Sequence, residues 1–135
     1  TTLGQKGVGD PVNLELSLTL NKPLGGHMVS GHVDGVGRIE SIVEDARFWQ
    51  VRIAAPANLA RYIAVKGSIC VDGTSLTVNQ VSGSGFELTI IPQTWEETVF
   101  SDYGVGSAVN LEVDVIARYL ERLMQFDQAN PDLPS

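Results

Sequence analysis

The sequence holds a single cysteine, Cys70, so no disulfide forms within the chain. With only two histidines beside it, Cys70 makes no zinc site unless carboxylates join. Cationic residues are scarce: 9 Lys and Arg stand against 16 Asp and Glu, a net charge of −7 with a pI near 4.6. Without a cationic excess to displace counterions from a phosphate backbone, no nucleic-acid partner is expected. No apolar run approaches the ~18 to 20 residues that span a bilayer, so no membrane partner is expected either. Thr1-Thr2-Leu3-Gly4-Gln5-Lys6 lacks signal-peptide anatomy, and the glycines fit neither a Walker loop nor a dinucleotide fingerprint. These absences leave a cytoplasmic, metal-free domain as the expectation. The 43% hydrophobic and 19% charged content of the 135 residues is that of one globular domain with an appendage.

What is present begins with a repeat. Gly7-Val8-Gly9-Asp10-Pro11-Val12-Asn13-Leu14-Glu15-Leu16 aligns with Gly104-Val105-Gly106-Ser107-Ala108-Val109-Asn110-Leu111-Glu112-Val113, seven positions in ten being identical at a constant offset of 97 (104 − 7). That spacing is domain-sized, too long for a solenoid unit. The second copy closes one domain, and the first is expected to close an earlier one, of which only the tail is present.

Between the copies the pattern is mostly strand. Phe48 to Ile53 mixes aromatic and β-branched residues, and Ile39 and Val109 to Val113 mark short strands. Ser75 to Val81 and Phe86 to Ile91 alternate about Ser82-Gly83-Ser84-Gly85, a hairpin pattern, and Pro92 ends the second run. Gly25, Gly26, Gly31, Gly35 and Gly37 suit tight corners, so a small β-barrel or sandwich is expected. A short helix follows Pro56, over Ala57 to Ile63. A longer one spans 114 to 126, with Val115, Ile116, Tyr119, Leu120, Leu123 and Met124 on one stripe that must bury against the barrel or copies of itself. Residues 127–135, with two prolines, read as a disordered tail.

Several residues carry candidate chemistry. His27 and His32, five apart, fall on opposite faces if extended, which argues against joint metal ligation. His32 is a candidate for proton transfer, and His27 reads as the more structural of the two. Ser75 and Thr77 share a face and either line a polar pocket or decorate an open strand surface. Cys70, in an apolar run, reads as a small core residue; Asp114 precedes the long helix as an N-cap; Thr94 and Glu96 lie where a strand runs out.

The segments Gly25-Gly26-His27-Met28-Val29-Ser30-Gly31-His32-Val33, Lys66-Gly67-Ser68, Asp72-Gly73-Thr74-Ser75-Leu76-Thr77-Val78, Ile91-Pro92 and Val109-Asn110-Leu111-Glu112 closely resemble the C-terminal half of the riboflavin synthase family. The resemblance runs from Thr1 to about Met124. It implies a six-stranded Greek-key β-barrel (residues 19–113), a C-terminal oligomerisation helix (114–126) and, over 1–18, the closing segment of a truncated N-terminal barrel. It also implies a transferase reaction without cofactor or metal, in which two 6,7-dimethyl-8-ribityllumazine molecules exchange a four-carbon unit to give riboflavin and a ribitylaminouracil. Homotrimers form through the helices in that family, and lumazine synthase is a candidate partner. Carried over by motif, Gly31, His32, Val33, Lys66, Ser75, Leu76, Thr77, Ile91, Pro92, Gln93, Thr94, Trp95 and Glu96 would bind substrate, and His32, Ser75 and Asp114 would form the catalytic polar cluster. A non-catalytic lumazine- or flavin-binding antenna protein of the same fold is the alternative reading.

Overall fold

A computed structural model describes residues 1–131 of the chain. Six strands carry the fold: β1 (Gly35–Asp45), β2 (Phe48–Ala54), β3 (Ser68–Val71), β4 (Thr74–Ser82), β5 (Gly85–Ile90) and β6 (Ala108–Val113). All pair antiparallel in the order β1-β2-β5-β4-β3-β6, and β6 returns to β1, pairing Gly35 with Leu111 and Arg38 with Ala108. Of the two architectures that the strand pattern allows this is the barrel, and its six strands are those the family resemblance implies. β2 lies beside β5 rather than β3, so the connectivity is a Greek key.

Period-two alternation places one side of each strand inside. Val51 and Ile53, Ile69 and Val71, Phe86, Leu88 and Ile90, and Val109, Leu111 and Val113 fill the barrel, with Leu59 and Phe100 completing the core from the connecting segments. Two local features follow from residue type. A Cβ at Gly37 would stand 2.8 Å from Leu111 Cδ1 and 2.9 Å from the Ala54 carbonyl, so β1 needs glycine where it crosses the packed interior. The β3–β4 hairpin turns on Asp72 and Gly73, both at positive φ (+43° and +83°), the tight turn that Asp-Gly favours.

Three α-helices accompany the strands among the described residues: α1 (Ala57–Ala60), α2 (Pro92–Glu97) and α3 (Val115–Ala129). The first is shorter than the expected 57–63. The last runs three residues past 126, because Gln128 and Ala129 are good helix formers and Asn130 then closes the helix by donating to the Phe126 and Asp127 carbonyls. Part of the expected 127–135 tail is therefore helical, and its last residues, 132–135, lie outside the described residues. No helix among the described residues is long and apolar enough to cross a membrane.

The N-terminal part differs from expectation in one respect: residues 19–34 contribute no strand, and the sheet begins at Gly35. Gly25, Gly26 and Gly31 accordingly sit in a loop rather than at barrel corners, Gly31 at a φ of +79°. Residues 1–14 pack on the barrel through Thr2, whose amide donates to Asn110 Oδ1 at 2.7 Å. They also pack through Asn13, whose Oδ1 accepts from the Val99 amide at 2.9 Å.

Candidate functional site

Leu76 and Val78 point into the barrel, so Ser75 and Thr77 of β4 are on its outer face. Thr77 is exposed there, whereas Ser75 is covered by the loop carrying both histidines. Gly26 makes that coverage possible: a Cβ there would stand 2.5 Å from Ser75 Oγ and 2.7 Å from Ser75 Cβ. Next in sequence, His27 grips the same hydroxyl twice. Its backbone amide donates to Ser75 Oγ at 3.2 Å, and its Nδ1 lies 2.7 Å from that oxygen. His27 Nε2 is buried with no hydrogen-bond partner among the described residues.

The same loop is held at a second point by Glu112 of β6, a carboxylate only 8% exposed. Its Oε1 accepts from the Ser30 amide at 2.7 Å and the Ser30 hydroxyl at 2.8 Å, and its Oε2 accepts from the Gly31 amide at 3.0 Å. Burying a carboxylate is unfavourable unless its oxygens are satisfied, and these three donors do so. The loop ends at Asp34, which accepts from the Val113 amide at 2.8 Å and from Arg118 of α3 at 2.6 Å. Loop, β6 and the start of α3 are therefore one connected polar unit.

That unit distributes the expected site residues. His32 Nδ1 meets Ser30 Oγ at 3.0 Å, and His32 faces a cavity of about 340 Å³ shared with Asp34, Glu112, Val115 and Arg118. Gly31 and Val33 line a different cavity of about 190 Å³ beneath residues 11–13, together with Cys70, Asp72 and Asn110. Asp114 caps α3, its Oδ1 accepting from the Ile116 amide at 3.1 Å. The three residues expected to form one polar cluster thus have separate hydrogen-bond partners: Ser75 with His27, His32 with Ser30, and Asp114 with its own helix. Segment 26–33 is a loop without a ladder, so the alternation argument that separated the two histidines does not govern it.

The remaining candidates stand in the turn before β3 and in the segment that follows β5. Lys66 is exposed in the turn before β3, at a φ of +67°, with its amide donating to the Val78 carbonyl at 2.8 Å. Ile91 is exposed, and Pro92 occupies the first turn of α2, where a missing amide proton is harmless. Gln93 and Glu96 are exposed, Thr94 is half-buried and receives the Thr98 hydroxyl at 2.6 Å. Trp95 stacks on Trp49 of β2, with ring centroids 4.4 Å apart and planes 5° from parallel.

Cys70 is buried, but it lies on the face of β3 opposite Ile69 and Val71, under the N-terminal residues rather than in the barrel interior. Burial, and then the neighbouring Glu112 carboxylate, pushes its thiol up to about 11, so it is no nucleophile. Tyr103 is raised beyond the ordinary phenol range by burial and by its hydrogen bond to Asp72, which also accepts from the Asn110 amide at 2.7 Å. The contact of His27 with Ser75, and the roles of Glu112, Asp34 and Arg118 in holding the loop, were not anticipated from the sequence. Only Glu112 had a signal, as the charged residue between Leu111 and Val113 in a strand otherwise apolar at its end.

Residues 30–114 match the family described as lumazine binding domain. Among curated proteins, the chain is 47% identical over 121 residues to the riboflavin synthase of Photobacterium phosphoreum, covering 90% of this chain and 56% of that protein. It is 47% identical over 128 residues to that of Mycobacterium bovis (93% and 64%) and 39% over 124 residues to that of Bacillus subtilis (92% and 58%). The chain therefore spans about three fifths of these relatives' length. Among solved structures, LumP complexed with 6,7-dimethyl-8-(1'-D-ribityl) lumazine superposes with a TM-score of 0.74 at 26% identity, over 84% of this chain and 60% of that one. LumP complexed with riboflavin gives 0.77 at the same identity, over 84% and 61%. The matched span takes in the Ser30–Asp34 half of the histidine loop, every barrel strand and the cap of α3, and by it the chain belongs to the lumazine-binding domain family.

Proposed function

We propose that this chain is the C-terminal part of a riboflavin synthase, and that its barrel holds one 6,7-dimethyl-8-ribityllumazine against β4, the 26–33 loop and α2. The observation that carries the reading is the clamp of the histidine loop on Ser75, which brings the GGH and DGTSLTV motifs of the sequence together on one outer face of the barrel. In the reaction two such molecules exchange a four-carbon unit, giving riboflavin and a ribitylaminouracil. The protein's work is to hold two rings in register, which can supply on the order of 7 to 11 kcal/mol of a barrier, and to place proton donors and acceptors beside them. Ser75 and Thr77 would hydrogen-bond the ring edge, residues 91–96 would flank the ribityl chain, and His32 and Asp114 would serve proton transfer from the β6–α3 side.

The second substrate needs a second barrel, and the repeat supplies a place for it. Val109, Leu111 and Val113 are 0%, 0% and 4% exposed inside this barrel, whereas their counterparts Val12, Leu14 and Leu16 are 47%, 90% and 81% exposed. Residues 12–16 read as the sixth strand of another barrel of this kind, with 1–18 as its closing segment. The asparagines of the two repeat copies also hold equivalent partners reciprocally. Asn13 takes the Val99 amide and Asn110 takes the Thr2 amide, pairs that interchange under the offset of 97 (110 − 13 and 99 − 2). This is the pattern of a local two-fold between two like units.

α3 presents Ile116, Tyr119, Leu120, Leu123 and Met124 to solvent, while Arg118 and Glu121 tie it to Asp34 and Arg61. That stripe suits helix-on-helix packing in a homotrimer, with a cytoplasmic location and lumazine synthase as a further partner. The LumP likeness favours a second reading, a lumazine- or flavin-binding protein without turnover. Mixing 6,7-dimethyl-8-ribityllumazine with the chain, alone and joined to a relative's N-terminal barrel, decides between them. Riboflavin formation in the joined protein supports the synthase. Tight binding without riboflavin in either sample supports the binder.

A further inference from the structure

Of the two histidines in the loop, only His27 touches the hydroxyl on β4. Ser75 Oγ has two lone pairs and one proton, and two groups of His27 converge on it, the backbone amide at 3.2 Å and Nδ1 at 2.7 Å. Two neutral tautomers fit that geometry. If Nδ1 is bare, Ser75 spends its only proton inside the pair, and Nε2–H is left as a buried donor with no acceptor. If Nδ1 carries the proton, Ser75 Oγ accepts twice, and its own proton is free to point outward. Nε2 is then a buried lone pair. Orphaned buried N–H groups are rarer in proteins than under-satisfied acceptors, so the second arrangement is favoured.

We propose that His27 is a positioning residue for Ser75. Held as the Nδ1–H tautomer, it fills both lone pairs of Ser75 Oγ and thereby directs the Ser75 hydroxyl proton at an acceptor on the bound heterocycle. The steric side agrees: the glycine at 26 lets the loop backbone come within contact of Ser75, and any side chain there would displace it. His32, occupied with Ser30 and facing the α3 cavity, has no part in this orientation. The ligand class follows from the donor: a ring carbonyl or ring nitrogen, which accepts and does not donate. This rests on the reading that Ser75 faces the lumazine.

The test has two arms, both on the 135-residue chain. The first is the tautomer of His27 by ¹⁵N NMR at about pH 8, where an ordinary histidine is neutral. Protonated Nδ1 with bare Nε2 is expected. The usual Nε2–H form, or fast averaging between the two, overturns the proposal whether or not lumazine binds. The second arm is affinity for 6,7-dimethyl-8-ribityllumazine by ligand fluorescence. His27→Ala and Ser75→Ala are each expected to weaken binding by about tenfold, the worth of one well-placed hydrogen bond. The double variant should be no weaker than either alone. His27→Asn, whose amide sits where Nδ1 does, should recover most of the affinity, and His27→Gln should not. Additive losses, or equal rescue by Asn and Gln, overturn the positioning role. If the unmodified chain binds no lumazine while the NMR arm shows the Nδ1–H form, it is the ligand reading that fails and not the pair.

Discussion

Glu112→Gln is the substitution whose consequences the structure specifies most fully. The carboxylate accepts three hydrogen bonds from two residues of the histidine loop, all between 2.7 and 3.0 Å, at a position almost closed to water. A glutamine keeps one oxygen and turns an amide NH₂ towards the other donor or donors. Bonds to a charged acceptor are worth about 1.5 to 3 kcal/mol and neutral ones about 0.5 to 1.5, so two weakened bonds cost about 1 kcal/mol each and the lost one about 1 to 3. The loop should then open more easily by about 3 to 5 kcal/mol, an upper bound because the opened loop rehydrates. Hydrogen exchange at the Ser30 and Gly31 amides reads this directly, and both should exchange faster, by up to about a thousandfold, while β-barrel amides are unchanged. Removing the charge also lowers the Cys70 thiol, since Glu112 is its second-largest upward influence after burial. Wild-type exchange at both amides would refute the reasoning that Glu112 holds the loop.

Three further outcomes are expected. Gly26→Ala should weaken lumazine binding at least tenfold, because its Cβ would lie 2.5 Å from Ser75 Oγ, with little change in thermal unfolding, since residue 26 adds nothing to the core. Stability should fall as pH rises from 9 towards 11: the Cys70 thiol, 9.0 ordinarily and about 11 when folded, ionises first in the unfolded chain, so the unfolded state then binds fewer protons. Cys70→Ala should flatten the first part of that profile, from pH 9 to about 10, measured by chemical denaturation; above it the buried Tyr103 phenol, also raised, keeps a slope. Leu120→Lys with Leu123→Lys should leave the barrel's melting unchanged but abolish trimers seen by sedimentation in the two-barrel protein, because both side chains are outward on α3.

The strands were legible because their apolar residues recur with period two, and the β4–β5 hairpin because Gly83 and Gly85 punctuate it. Closure was not, since the β1–β6 pairing joins residues some seventy apart and no local pattern distinguishes a closed sheet from a sandwich. Pro92 illustrates a signal with two meanings. It ends a strand, as read, but it also opens a helix, and α2 follows at once. The site was legible as a set of segments and not as a set of contacts. The structure joins the 26–33 loop to Ser75 of β4, while residues 91–96 follow β5 and pack through Trp95 on Trp49 of β2. Which histidine meets Ser75 depended on the loop's path, and that path is fixed by Glu112, eighty-one or more residues from the amides it holds and visible only after folding.

The most direct test of the account is to map 6,7-dimethyl-8-ribityllumazine onto the chain by amide and side-chain chemical-shift changes. The account predicts changes concentrated in residues 26–33, 75–77 and 91–96, with the His27 ring and Ser75 among the largest. Changes confined to the cavity beneath residues 11–13, or the absence of any in a folded sample at ligand excess, would contradict it.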